Sequence, residues 1–329
     1  MTSSLLDTAL TRDTGIEIPV ICGAMFPCSN PELVAAASEA GGIGVLQPVS
    51  LTFIHGYDFR KGLQYIRSLT DKPIGMNALI EQSSKAYRKR MEEWVDIALE
   101  EGVRFFVTSL GKPDWVAAKA HEVGGVVFHD VTSRKWAMKG RDNGADGLIA
   151  VNRRAGGHAG EKTAEGLLDE LGDLGLPVVH AGGIGNGRSV RQVIEMGYAG
   201  VQMGTRFIAT TECSAAEDYK QAIVDAQPED VVLTERLTGV PVAVLNTPHV
   251  KRVGTKSGPL ARWMLRGRRT KHWMRNIYAL SALWKMKGSA RRPGGPRDYW
   301  QAGKSVGEVQ SVLPTRTILD EIRSALVAD

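Results

Sequence analysis

The stretch PVVHAGGIGNGRSVRQVIEMGYAGVQMGTRF, residues 177–207, decides the fold. It contains two short apolar runs that end in glycines, with one amphipathic segment between them. Near-continuous apolar runs of this length are typical of parallel strands that are buried on both faces. The stretch therefore predicts strands at Pro177–Gly183 and Ala199–Thr205, joined by a helix at 187–197.

The same alternation of strand and helix runs through the first 230 residues. Six more apolar runs precede this unit, at Pro19–Met25, Gly42–Gln47, Pro73–Leu79, Arg104–Leu110, Gly125–Val131 and Ala145–Val151. Amphipathic stretches follow the strands and predict further helices at Pro31–Ala40, 60–69, 84–101, 113–123, 133–143, 163–173 and 214–226. Eight strands, each followed by a helix, favour an α/β fold of the (β/α)₈ TIM-barrel type, with an open doubly wound sheet as the alternative.

The alternation stops near residue 230, and this boundary suggests a division of the chain. We expect the barrel at 1–229, a basic, Trp-rich and mainly helical lid or appendage at 230–310, and a terminal segment at 311–329. In that last segment, Thr315–Val327 has the pattern of a helix that packs on the barrel.

Composition and cysteine usage limit the class of protein. Of all residues, 43% are hydrophobic and 23% are charged, which is ordinary for a soluble globular protein. Three cysteines without CxxC spacing indicate free thiols in a reducing compartment, so we expect a cytoplasmic protein without a metal site. The first residues lack the basic and apolar regions of a secretory signal.

Positive charge is concentrated in one segment, residues 249–297. This segment holds 14 Lys and Arg residues and no Asp or Glu, whereas the other 27 basic residues are set against all 36 acidic ones. The net charge of +5 is therefore a property of the appendage and not of the whole molecule.

Glycine-bearing turns follow the last two predicted strands. AGG at 181–183 and MGT at 203–205 stand at adjacent strand ends, before helices. Glycines let backbone N–H groups approach an anion closely, and phosphate sites after strands seven and eight recur in this fold. The two turns together predict a phosphate site, although glycines there also serve simply to make tight turns.

Other polar residues lie at strand ends on the same face. His158 lies in AGGHAG after strand six. The ordinary pKa of histidine is near neutrality, so its side chain can donate or accept a proton, although a structural histidine would fit the same loop. Asn77 lies at the end of strand three. Its side-chain amide can donate and accept hydrogen bonds at the edge of a ligand ring, or it can form a turn. His129 and Asp130 form either a site pair or the start of a helix cap.

These segments resemble the nitronate monooxygenase family, formerly called 2-nitropropane dioxygenases. FMN-dependent enoyl-acyl-carrier-protein reductases and some NADH:quinone reductases share the architecture. The resemblance spans about residues 15–240 and returns near WQAGKSVGEV at 300–309. The matching stretches are PVICGAM, NPELVAAASEAGGIGVL, KPIGMNALI, GADGLIAVNRRAGGHAG, PVVHAGGIGNGRSV and GYAGVQMGTRFIATTECSAAEDYKQAI.

The resemblance implies FMN as the cofactor and His158 as the active-site histidine. It implies phosphate contacts at the two glycine turns and a flavin ring over the ends of strands one and three. The cofactor-binding residues expected on this basis are Ala24, Met25, Asn77, Asp130, Gly156, Ala181, Gly182, Gly183, Met203, Gly204 and Thr205.

Two positions depart from the family pattern. The run before the histidine usually resembles Glu-Ala-Gly-Gly-His, whereas this chain has a cation, Arg154, in place of the carboxylate. Some relatives carry a lysine where this chain has Asp130 at the end of strand five. Both changes alter the charge of the implied active site. The family's tuning of the flavin and its nicotinamide contacts therefore do not transfer directly to these two positions.

Two enzymatic hypotheses follow. The leading one is oxidation of alkyl nitronates with O₂ to carbonyl compounds and nitrite, with His158 orienting the anion or deprotonating a neutral nitroalkane. The alternative is an NAD(P)H-dependent reductase of a quinone or an enoyl thioester. It is motivated by the helical spacing of Trp273, Ile277, Leu280 and Trp284 in the basic segment.

Partners follow from the same segment. A basic amphipathic helix within 260–287 suits contact with a membrane surface or an acidic partner, unless it only packs on the barrel. Exposed tryptophans on the appendage favour a homodimer. Binding of nucleic acid is not expected, because no nucleic-acid-binding motif accompanies the charge.

Overall fold

The computed structural model describes residues 4–80, 85–237, 239–256 and 299–328. Its centre is a closed barrel of eight parallel strands, in which each strand pairs with the next and the eighth pairs with the first. The predicted (β/α)₈ barrel is confirmed. The strands are β1 Val20–Cys22, β2 Ile43–Leu46, β3 Ile74–Leu79, β4 Phe105–Ser109, β5 Val126–Val131, β6 Gly147–Val151, β7 Val178–Ala181 and β8 Gly200–Met203.

Helices surround the barrel and follow the predicted order. They are α1 Ala9–Thr14, α2 Pro31–Glu39, α3 Phe59–Leu69, α4 Lys85–Glu100, α5 Asp114–His121, α6 Arg134–Arg141, α7 Ala164–Leu171, α8 Gly187–Glu195, α9 Thr205–Ile208 and α10 Glu217–Asp225. The sequence did not predict α1, the four-residue α9 or a π-helical turn at Ser50–Ile54. These elements are too short for a hydrophobic period to reveal them.

The strands divide their side chains between two layers. Alternate residues, among them Ile21, Val107 and Phe128, pack together inside the barrel. Their neighbours, such as Cys22 and Val201, pack outward against the helices. Because successive side chains on a strand point to opposite faces, a residue two positions after an interior one also faces the barrel axis. This rule fixes which strand-end residues line the mouth.

The part of 230–310 that the structure describes is not only helical. An antiparallel pair, β9 Val231–Thr234 with β10 Val242–Leu245, precedes the short helix α11 Pro248–Val253. The predicted basic helix around Trp273 lies outside the described residues. The terminal helix covers Thr315–Val327, as predicted, and packs against α2 and α8. Among the helices of the described segments, none has the length and apolarity required to cross a bilayer.

Candidate active site

Side chains from four strands line the C-terminal mouth of the barrel. Ala181 belongs to the interior cluster, and Asn77, Asp130 and Gln202 occupy interior-facing positions on β3, β5 and β8. Asn77 is buried, and its Nδ2 lies 3.5 Å from the carbonyl of Val107. In this fold the C-terminal mouth is where reactive groups collect. The structure thus brings predicted site residues together with Gln202.

Asp130 and Gln202 interact across the mouth. The side chain of Gln202 hydrogen-bonds the Asp130 carboxyl, but Oδ1 of Asp130 and Oε1 of Gln202 are buried without a partner among the described residues. Burial raises the pKa of Asp130 to about 7, and the Gln202 contact opposes that shift. Gly23 makes room for the arrangement, because a Cβ there would be 2.9 Å from Gln202 Cγ.

His129, which the sequence paired with Asp130, lies on the other face of the same strand. Its Nδ1 is 2.8 Å from Thr108 Oγ1, and its ring lies against Gly140 of α6. Burial, together with Lys139, lowers the pKa of His129 to about 4, so the ring is neutral. The hypothesis of a His129–Asp130 site pair was therefore wrong, because strand alternation separates the two side chains.

The turn after β7 has the backbone that the glycines predicted. Gly182 and Gly183 have φ values of 115° and 85°, which residues other than glycine rarely adopt. A Cβ on Gly182 would lie 2.6 Å from both Ala155 N and Asn152 Oδ1. The buried Asn152 amide fixes the turn, since its Nδ2 donates to Gly182 O at 2.9 Å. Close approach of two chain segments therefore requires glycine here.

The turn after β8 lies beside β1. A Cβ on Gly204 would meet the Met25 side chain at 3.5 Å, and Met25 itself is anchored because its N–H donates to Ser29 Oγ at 2.8 Å. Ala24 packs against the interior cluster. Met203 points its side chain into the outer layer, so only its backbone faces the turn. The residues predicted from these two strand ends are thus adjacent.

Arg154 contacts the first glycine turn. A Cβ on Gly183 would lie 2.5 Å from Arg154 Nε, so the guanidinium arm runs directly over this glycine. The Arg154 backbone is held at both ends, because its N–H donates to Asn152 Oδ1 at 2.7 Å and its carbonyl accepts from Lys304 N at 2.8 Å. An exposed cation therefore stands next to the predicted phosphate turn.

The AGGHAG loop bends at Gly157, whose φ is 68°. Its carbonyl accepts from Ala243 N at 2.7 Å, which ties the loop to β10. A Cβ on Gly156 would lie 2.9 Å from Gly303 N, so this glycine allows the close approach of another segment. His158 presents its side chain at the surface of the loop, yet desolvation by the surrounding loops lowers its pKa below 6.5. The imidazole is therefore neutral at pH 7.

Residues 299–309, here called the closing segment, pack across the loops after β6, β7 and β8. Gly303 N–H donates to Thr205 Oγ1 at 2.9 Å, and the Glu308 carboxylate accepts from Gly185 N at 2.8 Å. Thr205 is buried, so its hydroxyl supports this segment in the structure. The closing segment explains why the resemblance returns at WQAGKSVGEV.

Two residues at this site were not predicted to bind anything. Gln202 was not among the predicted residues, although a polar residue at an interior strand position was the available signal. Arg154 was noted only as a departure. Its contact with Gly183 joins residues 29 positions apart, which no local pattern reveals.

Comparisons with known proteins agree with this geometry. A chain region of residues 7–290 matches the model for nitronate monooxygenase. The chain is 33% identical, over 74% of its length and 67% of the relative's, to "(3aS,4S,5R,7aS)-5-hydroxy-7a-methyl-1-oxo-octahydro-1H-indene-4-carboxyl-CoA dehydrogenase" from Rhodococcus jostii (strain RHA1). It is 29% identical to a nitronate monooxygenase of Pseudomonas aeruginosa, over 70% of this chain and 77% of that relative.

Among solved structures, FabK from Thermotoga maritima superposes with a TM-score of 0.80 at 28% identity, covering 97% of this chain and 96% of FabK. Members of the matched family are typically flavin-dependent. The barrel and the family match together show that this chain belongs to the nitronate monooxygenase family and is one of its oxidoreductases.

Proposed function

We propose that this protein is an FMN-dependent oxidoreductase whose substrate is a coenzyme A thioester. The contact of Arg154 with Gly183 carries the proposal, because it adds an exposed cation to the mouth of the barrel. A guanidinium is well suited to phosphate oxygens, since its planar fork binds them through two hydrogen bonds.

The residues at the mouth fit a phosphorylated cofactor with a flat ring. The turns at Gly182–Gly183 and Gly204–Thr205 offer backbone N–H groups, and close neighbours exclude a side chain at Gly182 and Gly183. Buried acceptors on Asp130 and Gln202 face the barrel mouth, and a flavin ring has N–H groups to donate. Ala24, Met25 and Asn77 would border that ring. Flavin, when bound, supplies the hydride and electron chemistry.

The substrate class follows from the charge around the mouth. Coenzyme A carries several phosphates, so a thioester of it needs a cationic contact away from the reacting carbon. Arg154 is positioned for that contact, because its side chain lies over Gly183 in the turn after β7. The name of the Rhodococcus relative, a carboxyl-CoA dehydrogenase, agrees with this class.

His158 would act on the substrate as a neutral imidazole. Because its pKa is lowered, the ring is neutral at pH 7, and a neutral imidazole can accept a proton from a carbon or hydroxyl of the bound thioester. Gly157 and Gly160 let this loop pack closely, because a Cβ would lie 3.1 Å from Gln301 Oε1 at Gly157 and 2.3 Å from the Val151 carbonyl at Gly160. The closing segment fixes the loop from behind.

Binding of coenzyme A tests this proposal. We expect coenzyme A, titrated into the flavin-loaded protein, to change the visible flavin spectrum in a saturable way that salt weakens, since exposed ion pairs are screened. Desphospho-coenzyme A and pantetheine, which lack some or all of the phosphates, should bind progressively more weakly. Equal effects of all three compounds would remove Arg154 and its phosphate contact from the proposal.

Oxidation of an alkyl nitronate is a second candidate, and the neutral His158 favours it. A neutral imidazole can donate a hydrogen bond to a nitronate or take a proton from a nitroalkane. Oxygen consumption and nitrite release on addition of propyl-2-nitronate would support this reaction. NAD(P)H remains the other candidate partner, and anaerobic bleaching of the flavin by NADPH or NADH would identify a reductase.

A further inference from the structure

Asp130 and Gln202 lie at the barrel mouth but take no part in the proposed binding of the thioester. Asp130 follows Val126 and Phe128 at interior positions of β5, and Gln202 alternates with the outward-facing Val201 and Met203 of β8. The two strands are not neighbours in the barrel, so the pair spans the mouth. Any flat group seated over the barrel would therefore lie against these two side chains.

Two acceptor atoms of the pair are left unused. Asp130 Oδ1 and Gln202 Oε1 are each buried without a hydrogen-bond partner among the described residues. A buried acceptor without a donor costs about 1–3 kcal/mol, and native proteins seldom keep one without a reason. Two such atoms at the catalytic mouth indicate a ligand that brings N–H or O–H donors to them.

The environment of the Asp130 carboxyl also leaves its charge adjustable. Burial raises its pKa to about 7, and the hydrogen bond from Gln202 is the opposing influence. His129, next along β5, is turned outward and neutral, so it does not offset the carboxylate. Lys139 acts on His129 from α6, on that same outer side. The carboxyl thus changes charge within the ordinary working range of pH.

We propose that the charge of Asp130, which Gln202 holds against the flavin ring, controls how readily the ring accepts electrons. The proposal rests on flavin binding at this mouth, as proposed above. A carboxylate against the ring repels added electron density, strongly so where water is excluded. A neutral carboxylic acid donates a hydrogen bond instead, which stabilises the reduced ring.

The test compares the native protein with Asp130→Asn, which keeps the shape and removes the charge. Bound flavin is equilibrated anaerobically with a redox dye of fixed reduced fraction, at about pH 5.5 and about pH 8.5. We expect the reduced-to-oxidised ratio of Asp130→Asn to exceed the native ratio about tenfold at the higher pH and to match it within about twofold at the lower pH. The control Asp142→Asn removes an exposed carboxylate next to Arg141 and should match the native protein at both.

Equal ratios for native protein and Asp130→Asn at both pH values would overturn the proposal. If Asp130→Asn does not fold, a pH titration of the native protein's oxidised flavin spectrum decides, since an inflection near pH 7 is expected and its absence contradicts the proposal. A protein that binds flavin but not coenzyme A would sink only the proposed substrate. A protein that binds no flavin would sink both.

Discussion

Arg154 and Gly183 form one structural unit at the mouth of the barrel. The arm of Arg154 occupies the space that a side chain on residue 183 would need, with Nε 2.5 Å and Cβ 2.8 Å from the position of that missing atom. The turn therefore positions the cation, and the cation covers the turn. Substitution of Arg154 is expected to change the binding of coenzyme A, and substitution of Gly183 is expected to change the binding of flavin.

Removal of the Arg154 charge should weaken binding of the thioester. A charge-assisted hydrogen bond contributes about 1.5–3 kcal/mol, so Arg154→Ala should raise the dissociation constant of coenzyme A about tenfold to a hundredfold. Arg154→Lys should recover part of that loss, since it restores charge without the planar fork. The spectral titration with coenzyme A measures both variants.

Arg153→Ala is the matched control for Arg154, because the neighbouring arginine is also exposed but does not cover the glycine turn. Its dissociation constant should stay within about twofold of the native value. If both alanine variants bind equally well, then general positive charge and not the Gly183 contact recognises the phosphates.

A side chain at Gly183 should disrupt the cofactor turn. Gly183→Ala meets Arg154 and must adopt a φ of 85°, which costs about 1–3 kcal/mol in native stability. We expect a lower flavin content per protein and a lower melting temperature. Both are measured on the purified variant, by absorbance and by thermal unfolding.

Gly172→Ala, at the end of α7, is the control for a glycine change away from the mouth. Its φ is −63°, and an added Cβ would meet nothing within 4 Å, so alanine should leave flavin content unchanged. Full flavin occupancy in Gly183→Ala would argue against a cofactor phosphate at this turn.

His158 should determine the acid side of the pH–rate profile. Because its pKa lies below 6.5, the neutral form needed to accept a proton persists to lower pH than in a free histidine, and the rate should fall only below that value. His158→Ala should lose about a hundredfold or more of kcat and the acid limb with it. Initial rates across pH measure the effect.

The exposed His121, which bonds Asp146 at 2.9 Å on the outside of the barrel, provides the comparison. His121→Ala should keep the native profile. An acid limb that survives in His158→Ala would assign it to another group, with Asp130 as the remaining candidate.

Stability of the unliganded protein should depend on the Asp130 charge. Its folded-state pKa of about 7 exceeds the ordinary 3.8, so its favourable contribution is fully present below pH 3.8 and is lost as the pH rises through 7. The loss is at most about 4 kcal/mol. Asp130→Asn should therefore unfold at a higher temperature than native protein above pH 7, and thermal scans that show no pH-dependent difference would contradict this.

The sequence predicted the barrel and most of the site because both depend on local patterns. Apolar runs of strand length and glycines at strand ends are visible without a structure, and they located Gly182 and Gly204 correctly at adjacent turns. Strand alternation is also readable from the sequence, and it contradicts the hypothesis of a His129–Asp130 site pair. Their separation onto opposite faces follows from the two-residue period alone.

The remaining features depend on contacts between distant segments. The closing segment reaches the mouth through Gly303 and Thr205, which lie 98 positions apart. The Asp130–Gln202 pair joins β5 to β8 across the barrel, and no periodicity in either strand indicates that partner. Burial of two unused acceptors is likewise a property of the folded mouth.

Anaerobic mixing of the purified protein with thioesters tests the central claim most directly. A panel of saturated, unsaturated and hydroxylated acyl-coenzyme A compounds is mixed with oxidised and with chemically reduced protein, and the flavin absorbance is followed. The account predicts rapid electron exchange between the flavin and at least one thioester. In Arg154→Ala this exchange should be slower at thioester concentrations that do not saturate the protein. An unchanged flavin with every thioester, together with rapid turnover of propyl-2-nitronate, would contradict it.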